Sequence, residues 1–155
     1  MTDSLYTRLG GTYAIAGAVD VLVDRLFQNA GVNANEAVHE HHGNPANAPG
    51  YKFLVTAWSI EAAGGPTCYP GYDMIAAHTL LKINDEQFDA VYHEIEATLR
   101  FLGVPEAETR EFMAVIEHYR PEVVKQEKVV QAGTLAPAKA APESGEVPSE
   151  AVPVR

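Results

Sequence analysis

The chemistry-bearing side chains of this sequence are mainly its six histidines. His78 lies in the segment DMIAAHTLL, where Met74, Ala77 and Leu81 recur with it at helical spacing and share one face. A neutral imidazole offered from a rigid helix is a good ligand for a transition metal. A histidine on an apolar face is also common as a packed core residue, so this face alone leaves both interpretations open.

A second group of histidines forms the run HEHH, which contains His39, His41 and His42. The run lies in a stretch from 29 to 50 that is rich in Gly, Asn and Pro, and this composition favours a long irregular connection with at most a short helical turn. Neighbouring imidazoles can bind zinc or copper. A solvated polar loop is the simpler interpretation of the same residues.

The elements that position these histidines all have the period of an α-helix, and no segment alternates like a strand. We predict a helix over 12–28 that is capped by Thr12. Further helices are predicted over 51–63, 73–81, 84–102 and 106–119. Asn84 and Gln87 form a capping-box signature, and Pro105 suits a first helical position. The sequence therefore predicts an all-α fold.

The chain has 155 residues, of which 46% are hydrophobic, and this length suits one domain with a core of its own. We place that domain at 1–125. From 126 to 155 the composition changes to Ala, Pro, Glu, Val and Ser without an aromatic residue, which predicts a disordered tail.

Composition also excludes several classes of function. The formal net charge of -10 opposes a phosphate backbone, and no Lys/Arg cluster is present, so nucleic-acid binding is not expected. The apolar runs are far shorter than the roughly 20 residues of a membrane span. Cys68 is the single cysteine and the first residues lack the features of a secretory signal, so we expect a cytoplasmic protein without a disulfide.

Four ordered segments of the chain resemble group I truncated haemoglobins. They are LYTRLGG, AAGGPTCYPGYDMIAAH, INDEQFDAVYHEIEATLRFLGVP and EFMAVIEHYRPEVV. The resemblance covers about Ser4 to Val124 apart from the connection that contains HEHH. It implies a two-over-two globin fold, with four main helices around haem b and with His78 as the proximal iron ligand.

The same resemblance implies which side chains contact the haem. Lys52 and Lys82 are candidates for the haem propionates. Trp58 is expected as a distal wall. The expected haem-lining residues are Tyr69, Met74, Ala77, Ile83, Phe88, Val91 and Ile116.

The distal side departs from the family pattern. Where the family usually has a Phe-Tyr pair, this chain has Leu22 and Val23, and Val55 stands where many members have a Gln that faces the ligand. Tyr51 lies one helical turn before Val55 and could donate the missing hydrogen bond. It could equally be an aromatic residue at a helix start, with its ring buried and its hydroxyl in water.

The resemblance leads to a primary interpretation and two alternatives. The primary one is a haem b protein that binds O₂, NO or CO in an unusually apolar distal pocket. The first alternative is a haem enzyme, with NO dioxygenase or peroxidase-like activity, that uses a reductase and one of His39, His41, His42 or Tyr51 on the distal side. One of these histidines could also bind the iron as a sixth ligand. The second alternative is a globin-like domain without haem.

Overall fold

The computed structural model describes residues 2–124, and this part of the chain is mainly helical. The β-type pairing found in it is one isolated parallel bridge between Ile83 and Val124. The all-α prediction is confirmed, whereas the predicted tail at 126–155 lies outside the described residues. The helices are α1 (Leu5–Arg8), α2 (Gly11–Gln28), α3 (Glu36–His42), α4 (Ala48–Ala62), α5 (Met74–His78), α6 (Asp85–Phe101), α7 (Glu106–His118) and α8 (Arg120–Val123).

The core lies between two pairs of helices, α2 with α4 and α6 with α7, and α2 also packs on α6. The predicted apolar stripe of α2 is buried, and Val23 beside it is completely buried. Burial of such a stripe removes apolar surface from water at roughly 25 cal/mol per Å², which holds the helices together without a disulfide. No helix between residues 2 and 124 is both long and apolar enough to cross a bilayer.

Two helix starts differ from the prediction. Thr12 does not cap α2, because Gly10 occupies the N-cap position with a φ of 94° and the helix begins at Gly11. Glycine tolerates this left-handed backbone, so α1 turns directly into α2. The Thr12 hydroxyl is hydrogen-bonded to Tyr6 Oη at 2.9 Å instead. Pro105 is the N-cap of α7 rather than its first residue. The capping box of α6 is confirmed.

The connection from 29 to 50 is more ordered than its composition indicates. It contains α3 and a 3₁₀ turn at Pro45–Asn47, and α4 begins at Ala48, three residues before the predicted start at 51. The side chain of Asn35 accepts a hydrogen bond from the Val38 N–H at 3.1 Å and so caps α3. Its amide also donates to the Leu81 carbonyl at 2.7 Å and to Gln87 Oε1 at 3.1 Å.

We expect Asn35→Ala to lower the free energy of unfolding by about 2 kcal/mol, because it removes a helix cap and leaves a carbonyl without its buried donor. Urea titration followed by circular dichroism measures the change. Asn44→Ala is the matched control, since Asn44 caps the 3₁₀ turn at an exposed position by accepting from the Ala46 N–H. Equal losses in the two variants would show that the buried contacts of Asn35 contribute nothing.

Candidate functional site

His78 is the last residue of α5, a helix shorter than the predicted 73–81. Asp73 begins this helix by accepting a hydrogen bond from the Ala76 N–H at 2.8 Å. The Nδ1 atom of His78 lies 2.8 Å from the carbonyl oxygen of Met74. A carbonyl can only accept, so Nδ1 carries the proton and Nε2 keeps its lone pair. His78 is thus held in the tautomer that offers Nε2 to a metal.

The loop before α5 is fastened to α4 by one carboxylate. Glu61 Oε1 accepts hydrogen bonds from the backbone N–H groups of Cys68 and Tyr69. The Tyr69 hydroxyl in turn donates to the Tyr72 carbonyl at 2.7 Å. Glu61 carries no sequence signal for this role, since it reads as one acidic residue on a helix. These bonds fix the chain that leads into the helix of His78.

A cleft of about 290 Å³ lies between α4 and the segment that leads into α5, and neither His78 nor Tyr51 is among its lining residues. Trp58 of α4 contributes one wall, and its ring meets Tyr119 edge-on with centroids 5.5 Å apart. Tyr69 and Met74 contribute the opposite wall. Three of the residues predicted to contact haem, one from the distal helix and two from the proximal segment, therefore share one cavity. Tyr119 was not among the predicted site residues.

The remaining predicted wall residues are apolar and lie on α5, α6 and α7 and on the segment between α5 and α6. Ile83 and Phe88 are buried members of the main core, and Val91 and Ile116 pack against that core while staying partly exposed. Met74, Ala77 and His78 are half-buried. Met74 and Ala77 therefore leave apolar surface near His78 incompletely covered by protein, and such a surface suits a flat apolar group.

On the distal side, Val23, Tyr51 and Val55 belong to one apolar cluster between α2 and α4. The structure places the neighbouring Leu22 apart from them, in the main core. Leu22 also lines a larger apolar groove of about 550 Å³ between α2, α6 and α7. Neither His78 nor Tyr51 lines that groove, so it is distinct from the candidate site.

Tyr51 is half-buried, and burial raises the pKa of its phenol. Its hydroxyl forms no hydrogen bond with another residue in the 2–124 region. Three aromatic rings surround it instead: Phe27 at a centroid distance of 5.8 Å, His42 at 5.8 Å and His41 at 6.0 Å. The donor that the sequence suggested is therefore protonated and still available.

Lys52 does not stand free for a haem propionate. Its ammonium lies 2.7 Å from a carboxylate oxygen of Asp20 and 2.7 Å from one of Asp24, both on α2. These carboxylates raise the pKa of Lys52. A propionate would have to compete with two negative charges already in contact, so we leave Lys52 out of the proposed site. Lys82 is exposed and has a φ of 51°.

The histidines of HEHH lie on α3 and differ in their surroundings. His39 and His41 are exposed, whereas His42 is half-buried and its ring stacks on Phe27 with centroids 4.3 Å apart. No group of three or more His, Cys, Asp or Glu side chains suited to a metal ion occurs within the described residues. The zinc or copper hypothesis therefore finds no support in this part of the chain.

The fold and the site together define a globin of the two-over-two type, and comparison with known proteins agrees. The chain belongs to the truncated haemoglobins of group I: residues 4–125 match the Bacterial-like globin family. It is 34% identical over 117 residues to the group 1 truncated hemoglobin GlbN of Synechocystis sp., an alignment that covers 73% of this chain and 89% of the relative. Membership in this family supports haem as the prosthetic group.

Solved structures of two relatives have the same fold. The Fe(III) form of truncated hemoglobin from Tetrahymena pyriformis aligns with a TM-score of 0.67 at 30% identity, covering 80% of this chain and all of that one. The 2/2 hemoglobin of Synechococcus sp., in the cyanomet state with covalently attached heme, aligns with a TM-score of 0.63 at 29% identity, covering 79% and 98%. The predicted two-over-two fold is confirmed.

We expect the stability of the protein to fall as the pH decreases from about 6.5 toward 4, in part through His42. Burial, and then the nearby charges of His41 and His39, lower the pKa of His42 to about 4. The unfolded chain has the ordinary histidine pKa and so takes up this proton at a higher pH, which favours unfolding throughout that interval. Above pH 6.5 the effect vanishes.

The measurement is the urea midpoint of wild type and His42→Gln between pH 7.5 and 4.5. The difference between the two proteins should change with pH in favour of the variant at the acidic end. His93→Gln, an exposed change on α6, should follow wild type. A difference that is constant across the whole range would contradict the assignment.

Proposed function

We propose that this protein is a cytoplasmic haem b protein that binds a diatomic gas, O₂, NO or CO, with His78 as the proximal ligand and Tyr51 as the distal hydrogen-bond donor. The observation that carries the proposal is the hydrogen bond from His78 Nδ1 to the Met74 carbonyl. It orients the imidazole and leaves Nε2 for iron. Haem iron, when bound, supplies the coordination position at which such gases bind.

Two features support haem b and a reducing compartment. Attachment of the c type uses a C-x-x-C-H motif, whereas this chain has a single cysteine, which precludes that motif. Cys68 is free and exposed. Thiols are kept reduced in the cytosol, which agrees with a protein that has no disulfide.

The distal residues favour a site with one polar contact. Val23 and Val55 are apolar, and their shared cluster contains two phenol hydroxyls, of which that of Tyr6 is already hydrogen-bonded to Thr12 at 2.9 Å. In the described region the Tyr51 hydroxyl has no such partner. A dioxygen ligand on iron is strongly polarised and gains from a hydrogen-bond donor, whereas CO depends on one much less. Tyr51 therefore favours dioxygen relative to CO, and the apolar residues limit the access of water.

Enzymatic use of the same pocket needs more than gas binding does: NO dioxygenation needs a reductase that supplies electrons, and peroxidase-like oxidation needs an acid–base group on the distal side. His42 is engaged by Phe27 and by Asn33, and His39 and His41 are exposed. Gas binding requires only the residues that the site already offers. We therefore propose gas binding ahead of either reaction, and turnover with NADH and NO, or with peroxide, would reverse that order.

Replacement of the proximal ligand tests the haem site itself. His78→Ala should lose or strongly change the Soret band of the ferrous protein, since it removes the Nε2 that binds the iron. Addition of imidazole should restore much of the spectrum. His93→Ala, an exposed histidine of α6, is the control and should keep the wild-type spectrum. A pyridine haemochrome spectrum other than that of protohaem would refute haem b, and an unchanged His78→Ala spectrum would refute the ligand.

Replacement of the distal donor tests the ligand. Tyr51→Phe should raise the O₂ dissociation rate about 10-fold, because a hydrogen bond of about 1.4 kcal/mol to the bound ligand is lost. The CO dissociation rate should change much less. Stopped-flow ligand displacement gives both rates. Tyr13→Phe removes a hydroxyl at a position that is 95% exposed and should leave both unchanged. Equal effects on O₂ and CO would mean that Tyr51 only fills space.

A further inference from the structure

We propose that His42 is a positioning residue of the ligand site: its imidazole fixes the ring of Tyr51 and thereby sets where the phenol hydroxyl donates. This inference rests on the proposed function, in which Tyr51 is the distal donor. It assigns His42 a role that acts through Tyr51 rather than through contact with iron. The argument depends on how His42 is held and on what surrounds Tyr51.

His42 is fixed on two sides. Its ring stacks on Phe27, with centroids 4.3 Å apart and planes inclined by 22°. Its Nδ1 atom lies 2.8 Å from Asn33 Oδ1. The orientation of the Asn33 amide is defined, because its Nδ2 donates to the carbonyls of Phe27 at 3.0 Å and Asn29 at 2.9 Å. An amide oxygen can only accept, so Nδ1 of His42 carries the proton.

The lowered pKa of His42 keeps this arrangement neutral above about pH 4. A neutral ring has one protonated nitrogen, which here is Nδ1, and its Nε2 is a hydrogen-bond acceptor. The His42 ring thus stacks on Phe27, donates one hydrogen bond to Asn33 and meets the ring of Tyr51 edge-on. The titratable groups that face His42 are His39 and His41 on its own helix and Tyr51 on α4.

Tyr51 lies in the first turn of α4, and its ring meets the rings of Phe27, His41 and His42. His42 and His41 both contact it edge-on, at interplanar angles of 63° and 67°. Edge-to-face contacts of aromatic rings are worth about 1 kcal/mol each, enough to select one ring orientation. Both imidazoles meet an amide, His42 that of Asn33 at 2.8 Å and His41 that of Asn47 at 3.4 Å. Within the described residues only His42 also stacks on a ring, that of Phe27, so it is the more firmly held of the two and the one that defines the position.

The same contacts argue against His42 as a sixth iron ligand. To reach an iron atom, the ring would have to leave both the Phe27 stack and the Asn33 amide. The helix that carries it is also anchored, because Asn35 at its start donates to the Leu81 carbonyl at 2.7 Å. His42 is therefore set to hold Tyr51, with α3 as its fixed support.

The experiment is a double-mutant cycle on the haem-loaded protein with wild type, His42→Ala, Tyr51→Phe and the double variant. The readouts are the O₂ dissociation rate and the C–O stretching frequency of the ferrous CO complex. We expect His42→Ala to raise the O₂ dissociation rate several-fold and to shift or broaden the C–O band. In the Tyr51→Phe background the same change should have little effect, since the hydroxyl is gone.

Two further variants separate positioning from general loss of structure. His42→Phe keeps a ring that stacks on Phe27 and contacts Tyr51, so it should restore most of the wild-type O₂ rate although it lacks the bond to Asn33. His39→Ala on the exposed side of α3 should leave both readouts unchanged. If His42→Ala fails to fold, His42→Gln, which also lacks the ring that stacks on Phe27, takes its place in the cycle with Tyr51→Phe.

Each remaining outcome overturns the proposal in a recognisable way. Equal effects of His42→Ala with and without the Tyr51 hydroxyl would show that His42 does not act through it. A wild-type rate in His42→Ala beside a raised rate in Tyr51→Phe would refute positioning and leave the proposed function intact. No effect of Tyr51→Phe would refute both. Conversion of six-coordinate to five-coordinate iron in His42→Ala would make His42 a ligand.

Discussion

The candidate site depends on one hydrogen bond inside a very short helix, from Nδ1 of His78 to the carbonyl of Met74. A helix of five residues is not stable alone, since nucleation costs more than so few hydrogen bonds return. Its orientation must therefore come from its surroundings. Asp73 caps it, Glu61 fastens the loop that leads into it, and α8 packs against it.

On the distal side, Val23 stands where the family usually has a tyrosine, and the proposed donor lies on a different helix. Val23 is completely buried and has no group to offer a ligand. The available donor, Tyr51, is on α4, where its ring meets the histidines of α3. In the proposed function, α3 therefore supports the ligand site through its contacts with Tyr51. This helix carries a cap and a buried amide contact despite its polar sequence.

Asn35 also ties the two sides of the site together. It caps the helix of His42 and donates to the carbonyl of Leu81, three residues after His78. It reaches Gln87 as well, a member of the capping box that starts α6. A displacement of the proximal segment would therefore act on the support of Tyr51 through hydrogen bonds of ordinary length.

The sequence by itself determined the long helices, and it singled out His78 as the candidate iron ligand. The apolar stripes of α2, α4, α6 and α7 recur every three to four residues, which is a local property of the sequence. The segment around His78 carries the family resemblance.

The sequence did not determine α3, because seven residues with a single buried apolar side chain, Val38, form no apolar stripe. Nor did it reveal that Asp20 and Asp24 bind Lys52. The roles of Glu61, Asn35 and His42 depend on partners that tertiary packing brings together, up to 52 positions apart for Asn35 and Gln87. Periodicity encodes which face of a helix is buried, whereas the partner of each polar group is decided only when the helices pack.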